Sequence, residues 1–274
     1  MILVTGTKRS GTSLWMQLLK AAEVPVLGVE FPSVWGTSIR EANPGGFYES
    51  KLRSGIYYAT NPDPVTGRFV PPRETRTHAA KVFIPGMVRT DLAYMNRVVC
   101  TIRHWRDYGP SMARLNDLED RYFLGTKGAE FVEARRVRRA QIPRHIEWFM
   151  EYYELLRDVS VRRYPMRVVA YERLLAEPEP VLTSVFGWLG VTNVEAAIPL
   201  VKPRKGGHGT GPMPEGLTAE RADAFEHLWR VFYEEQPLTP EFIASLDAIH
   251  RALEEEFGTL SRDRQVDDAV DFDR

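Results

Sequence analysis

Ile2 to Leu19 run ILVTGTKRSGTSLWMQLL, and three kinds of local order follow one another within them. Ile2, Leu3 and Val4 form a short apolar run, the pattern of a buried strand. Thr5 to Thr12 is a turn of small residues. Leu14, Trp15, Leu18 and Leu19 then recur at helical spacing. A strand, a glycine turn and a helix in that order aim backbone N–H groups and the positive end of a helix at one point, where an anion binds.

Four residues lie between Gly6 and Gly11, the spacing of a nucleotide phosphate loop. Nucleotide triphosphatases and kinases place Lys and then Ser or Thr directly after the second glycine. Here those positions hold Thr12 and Ser13, and the cations Lys8 and Arg9 lie inside the loop. The loop is able to cradle a phosphate-like group through Lys8, Arg9, Ser10, Gly11, Thr12 and Ser13, but it lacks the lysine that reaches terminal phosphates.

Outward from this stretch, the totals set limits. A chain of 274 residues, 43% hydrophobic and 27% charged, is long enough for one large core, so a single domain with elaborations is expected. The net charge of -1 gives no reason to expect nucleic-acid or membrane-surface binding. Cys100 sits in the apolar run Val98-Val99-Cys100 and reads as core packing, and one cysteine forms no internal disulfide. With a strand starting at Ile2 there is no room for a signal peptide, and no stretch reaches the roughly 18 apolar residues of a membrane span. These features predict a cytoplasmic protein.

Along the chain, the pattern predicts strands at 24–29, 80–84, 98–102 and 167–171. A loop-rich region reaches about residue 76, punctuated by Asn43-Pro44-Gly45-Gly46 and Pro71-Pro72. Residues 111–137 are helix-prone with a break at 125–128, and 142–159 form the clearest helix. A further helix through Val181, Val185 and Phe186 is stopped by Gly190. Helices are also predicted over 219–235 and 240–257, while 202–211 has no regular pattern. Strands alternating with helices imply a three-layer α/β/α fold on a central, mostly parallel sheet. The expected organisation is one domain over 1–260 with a helical insertion at about 114–144, and a polar tail over 261–274 that frays. The site belongs at the carboxyl ends of the strands.

Basic residues cluster where that rule puts a ligand. Lys8 and Arg9 follow the first strand, Arg103 ends a middle one, and Arg204, Lys205 and Gly206 lie in a late glycine-rich loop. Ser111, eight residues after Arg103, is expected in the first turn of the next helix, so that a guanidinium and a hydroxyl form a second anion pocket separate from the first loop. Two anion sites on one ligand imply a nucleotide with phosphates at two places. The duller alternatives are an ion pair of Arg103 with Asp107 or Glu172 and a solvated loop for Arg204 and Lys205. The run Arg135-Arg136, Arg138-Arg139 reads as a solvated helix face.

These residues resemble the sulfotransferases that use 3′-phosphoadenosine 5′-phosphosulfate (PAPS). Arg9-Ser10-Gly11-Thr12-Ser13 is similar to the family's 5′-phosphosulfate motif. Arg103 to Ser111 is similar in spacing to its 3′-phosphate motif, and Arg204-Lys205-Gly206 to the loop that completes that site. Tyr171-Glu172-Arg173-Leu174, Pro178 and Trp188-Leu189-Gly190 resemble a third segment, which implies that Tyr171 lies near the adenine. Two positions depart from the pattern. Leu14 stands where many members stack a Trp on adenine, with Trp15 beside it. Lys81-Val82-Phe83-Ile84-Pro85 puts Phe83 at the position of the catalytic His. Some carbohydrate sulfotransferases use a Glu instead, in a stretch that Phe47-Tyr48-Glu49-Ser50-Lys51 resembles, so Glu49 is the nominated base, with His78 and His104 as rivals.

The resemblance implies a P-loop NTPase-like sulfotransferase fold, with sulfonate transfer from PAPS to a hydroxyl or amine of a small-molecule or carbohydrate acceptor. It also implies release of adenosine 3′,5′-bisphosphate (PAP), no metal, and Arg9 or Lys8 meeting the leaving phosphate oxygen. The acceptor should be recognised by 28–76 and 114–144. The alternatives are a phosphate-loop kinase of small metabolites, disfavoured by Thr12, and a nucleotide-binding protein without catalysis, motivated by Phe83.

Overall fold

The computed structural model describes residues 1–31, 37–56, 71–202 and 208–270. Five strands, β1 (Ile2–Thr5), β2 (Val26–Leu27), β3 (Ala79–Lys81), β4 (Arg97–Ile102) and β5 (Met166–Ala170), form one sheet in the order β2-β3-β1-β4-β5. Every pairing between them is parallel, so the sheet is wholly rather than mostly parallel. The helices are α1 (Thr12–Ala21), α2 (Thr37–Arg40), α3 (Ile84–Met87), α4 (Trp105–Thr126), α5 (Ala129–Ala140), α6 (Arg144–Arg162), α7 (Tyr171–Ala176), α8 (Pro178–Leu189), α9 (Ala219–Tyr233) and α10 (Pro240–Val270).

The sheet is covered on both faces, which is why its central strands are continuous apolar runs. Leu3, Val98, Cys100 and Ile102 join one core with residues of α6, α9 and α10. Val4 and Val99 point to the other face and join Trp15, Leu18, Leu19 and Phe186 from α1 and α8. The result is a three-layer α/β/α arrangement. The parallel register pairs Val4 with both Lys81 and Val99, and Ile102 with Ala170. The loop at 6–11, Lys81, Arg103 and Tyr171 therefore share the carboxyl edge, where the chain's path reverses direction about β1.

Local chemistry moves several boundaries from their predicted places. β3 stops at Lys81 rather than Ile84, because Ile84 and Pro85 open α3, where a proline at the first turn removes no needed donor. β2 is confined to Val26–Leu27. α4 starts at Trp105, so Ser111 lies in its second turn, not its first. The start is set by His104, whose Nδ1 accepts from the Arg106 amide at 3.2 Å and caps the helix. Pro110 then removes only one ladder bond. The α5 arginines are only in part a solvated face: Arg136 is 59% exposed, but Arg135 and Arg139, 16% and 14% exposed, reach back with it to Glu119 and Asp120 on α4. α10 continues past Phe257 to Val270, beyond the helix predicted over 240–257, since 259–270 contains neither Gly nor Pro to stop it. Gly190 ends α8 in the left-handed conformation, φ 77°, as expected. Cys100 is fully buried. Among the described residues no helix is long and apolar enough to cross a membrane.

Candidate functional site

The chain leaves β1 into the loop at 6–11 and enters α1 at Thr12. Gly11 caps α1 at φ 106°, and a Cβ there would stand 2.7 Å from the Tyr171 ring, so the position requires glycine. No side chain caps α1, leaving its first-turn N–H groups for an anion. Arg9 holds a left-handed backbone, φ 68°, unusual for a residue with a side chain. Lys8, Arg9, Gly11, Thr12, Ser13 and Leu14 line a cleft of ≈ 260 Å³. Ser10 does not: it is fully buried, and its hydroxyl donates to the Thr7 carbonyl at 2.7 Å, bracing the loop. Trp15 is also fully buried, packed near Phe186, so no indole faces the cleft from α1.

Arg103 and Tyr171 line the same cleft. Arg103 Nη1 donates to Ser111 Oγ at 3.0 Å and to the Arg9 carbonyl at 3.4 Å, with its guanidinium 5.2 Å from the Tyr171 ring centroid. Its Nε is buried and has no hydrogen-bond partner among the described residues. Neither acid proposed as a structural partner takes it. Asp107 accepts instead from the amides of Gly209 and Gly211, both at 2.9 Å, and Glu172 from the His104 amide at 2.9 Å.

Arg9 reaches the same place from the first loop. Its Nε donates to Ser111 Oγ at 3.3 Å and its Nη2 to the Ala42 carbonyl, just after α2, at 3.2 Å. The two expected pockets are therefore contiguous rather than separate. The left-handed turn at Arg9 and the length of its side chain carry it from one to the other. Burial and the neighbouring Arg103 cation both lower the Arg9 pKa. Two guanidinium groups sharing one hydroxyl, with no carboxylate between them, form a site that favours an anion.

Opposite the loop stands Glu49. Gly28, at φ 138°, lets the backbone come within 2.7 Å of the Tyr48 carbonyl as measured from a Cβ position, and Val29 then forms an antiparallel bridge to Glu49. This bridge fixes Glu49, which is 4% exposed and lines the cleft. Glu49 Oε1 accepts from Lys81 Nζ at 2.6 Å. Its Oε2 is buried without a hydrogen-bond partner among the described residues, with Arg53 Nη1 at 3.7 Å. Phe83 lines the cleft at the position where the resembled family places its His. Neither His78 nor His104 lines it; His104 is buried between its cap bond and Glu226, 3.1 Å from Nε2.

Lys81 was not among the predicted site residues. It is 1% exposed and also donates to Ser13 Oγ at 3.2 Å and to the Phe47 carbonyl, so one ammonium ties α1, the 47–49 segment and β3 together. Burial lowers its pKa, opposed by Glu49. A lone cation inside the otherwise apolar Ala79-Ala80-Lys81-Val82 was its signal in the sequence. Arg204, Lys205 and Gly206 lie outside the described residues. Among the described residues no group of three or more His, Cys, Asp or Glu is arranged to hold a metal.

No protein-family model matches the chain, and no curated protein matches its sequence. Among solved structures it is similar to the sulfotransferase domain of the Synechococcus PCC 7002 olefin synthase. The two are 14% identical over 91% of this chain and 94% of that one, with a TM-score of 0.39.

Proposed function

We propose that the protein transfers a sulfonate group from PAPS to a hydroxyl or amine of a small-molecule or carbohydrate acceptor. The observation that carries this reading is the convergence of Arg9 and Arg103 on Ser111 beside the uncapped N-terminus of α1. A ligand with anions on the 3′ and 5′ oxygens of one ribose fits two contiguous cationic positions, and Thr12 in place of a lysine disfavours a nucleoside triphosphate. The residues present suit such a donor: Lys8, Arg9 and Arg103 line the cleft together with the Tyr171 ring and Leu14.

PAPS supplies, when bound, a sulfonate on a good phosphate leaving group. Everything else is for the chain to do. Glu49, which lines the cleft, accepts the acceptor's proton as the new bond to sulfur forms, contributing about 10²–10⁴-fold. Oε1, bonded to Lys81, keeps the carboxylate oriented. As the sulfur–oxygen bond to the phosphate breaks, Lys8, Arg9 and the α1 N-terminus meet the negative charge left on that oxygen, worth a few kcal/mol per well-placed donor. Arg103 and Ser111 hold the second phosphate.

The test is a thermal-shift comparison. PAP without magnesium should raise the melting temperature, by about 2.7 kcal/mol in stability at a hundredfold excess over Kd. Stabilisation by Mg-ATP and not by PAP would overturn this reading in favour of a nucleoside triphosphate site.

A further inference from the structure

Two neighbouring carboxylates on α4 face different cavities. Glu119 lines the cleft just described, one helical turn after Leu115, which lines it too. Asp120 lines a second cavity, of ≈ 610 Å³, between α4 and α5. Both are clamped from α5. Glu119 Oε2 accepts from Arg135 Nη2 at 3.0 Å and from Arg139 Nη2 at 2.9 Å; Asp120 accepts from Arg136 Nε at 2.9 Å and Arg139 Nη1 at 2.7 Å. The clamp is firm, because the Arg135 and Arg139 side chains are only 16% and 14% exposed and the Arg135 guanidinium lies 4.7 Å from the Phe123 ring centroid. Glu119 Oε1 has no hydrogen-bond partner among the described residues, and its side chain is 25% exposed.

We propose that Glu119 is the residue that selects the acceptor, its Oε1 accepting a hydrogen bond from a second hydroxyl of a polyhydroxylated acceptor whose first hydroxyl faces Glu49. This rests on the sulfonate-transfer reading. An ionised carboxylate only accepts hydrogen bonds, so its partner must be a donor. Arg135 and Arg139 stand directly behind it, and their charge makes the position less attractive to an ammonium than to a neutral hydroxyl. An acceptor lacking that hydroxyl would desolvate Oε1 without giving it a partner, the situation in which a polar site discriminates most strongly. Ile39, Leu115 and Phe83, which line the same cleft, supply apolar surface for the carbon skeleton.

The test uses the full chain, radiolabelled PAPS, and a set of methyl hexopyranosides together with their analogues lacking one hydroxyl. The wild type should transfer to at least one parent glycoside and lose about tenfold or more in kcat/KM on one of its deoxy analogues. In Glu119→Ala that ratio should fall to near one, through the acceptor KM, with Kd for PAP unchanged. Glu119→Gln, nearly isosteric, serves if the alanine variant does not fold, and should lower the ratio. Asp120→Asn is the structural control: it loosens the same arginine clamp and lowers the melting temperature, yet should keep the ratio. A ratio that survives in both Glu119 variants overturns the inference. So does a ratio lost equally in Asp120→Asn, or transfer to phenols and simple alkanols with none to any glycoside. If PAP does not stabilise the wild type, the donor reading has failed and this inference falls with it; binding, not selectivity, tells that case apart.

Discussion

Replacing Arg103 by alanine should weaken ligand binding strongly and leave the stability of the protein by itself nearly unchanged. Toward PAP, the loss is that of at least one charge-assisted hydrogen bond from a guanidinium that lines the cleft. Hydrogen bonds to charged groups are worth about 1.5–3 kcal/mol, so a loss of about 2–3 kcal/mol is expected, roughly 30- to 150-fold in Kd. Toward the fold, alanine removes the bonds to Ser111 and the Arg9 carbonyl, about 1 kcal/mol each, and the contact with Tyr171, about 0.5–1 kcal/mol. It also removes a buried donor with no partner, about 1–3 kcal/mol, and relieves the repulsion that depresses the Arg9 pKa. Those terms offset one another to within about 1 kcal/mol, a melting shift of only about 2–4 °C for a chain of this size. Calorimetric titration with PAP and a thermal melt measure the two quantities separately. A Kd within threefold of the wild type would refute the reasoning, and so would a melting temperature lower by about 8 °C or more, because Arg103 would then be structural.

Glu49→Gln should leave PAP affinity unchanged while lowering the transfer rate about 10²–10⁴-fold; single-turnover kinetics that show an undiminished rate remove Glu49 as the base. The third prediction concerns acid. Burial and the Arg221 charge push the His145 pKa down to about 4, against about 6.5 in an unfolded chain. The unfolded chain therefore binds the proton first, and stability falls as pH drops from about 6.5 toward 4. His145→Gln should melt at a temperature that declines less between pH 7 and pH 5 than the wild type's, and an identical decline contradicts the assignment. Part of the decline should persist, since burial lowers the pKa of His104 and His250 in the same direction.

What was legible in the sequence is what local pattern and punctuation encode. The β1–loop–α1 unit, the apolar run of β4 and the end of α8 at Gly190 each follow from residues a few positions apart. The start of α4 was not legible, because Gly109 and Pro110 look like breakers and the actual signal is an imidazole cap at His104. The α5 arginines read as solvated because their partners lie a full helix away, on α4. For the site, Lys8, Arg9 and Arg103, singled out by residue type and order, and Tyr171 and Glu49, singled out by the resemblance, all line one cleft, while Ser111 is bonded to two of them. Side-chain direction was not identifiable. Ser10 turns into its own loop, and Arg9 crosses to Ser111. Lys81 carries a charge in a strand, which has meaning only once Glu49 and Phe47 are known to face it.

That crossing by Arg9 makes the two guanidinium groups unequal partners for an incoming anion. Arg9 already satisfies Ser111 and the carbonyl of Ala42, so on binding it exchanges old bonds for new ones and frees the segment after α2 as it does so. Among the described residues, Arg103 commits only its Nη1 to protein acceptors, Ser111 and the Arg9 carbonyl. The heat of association should therefore come mainly from Arg103, while Arg9 converts the arrival of charge into a loosened contact on the far wall of the cleft.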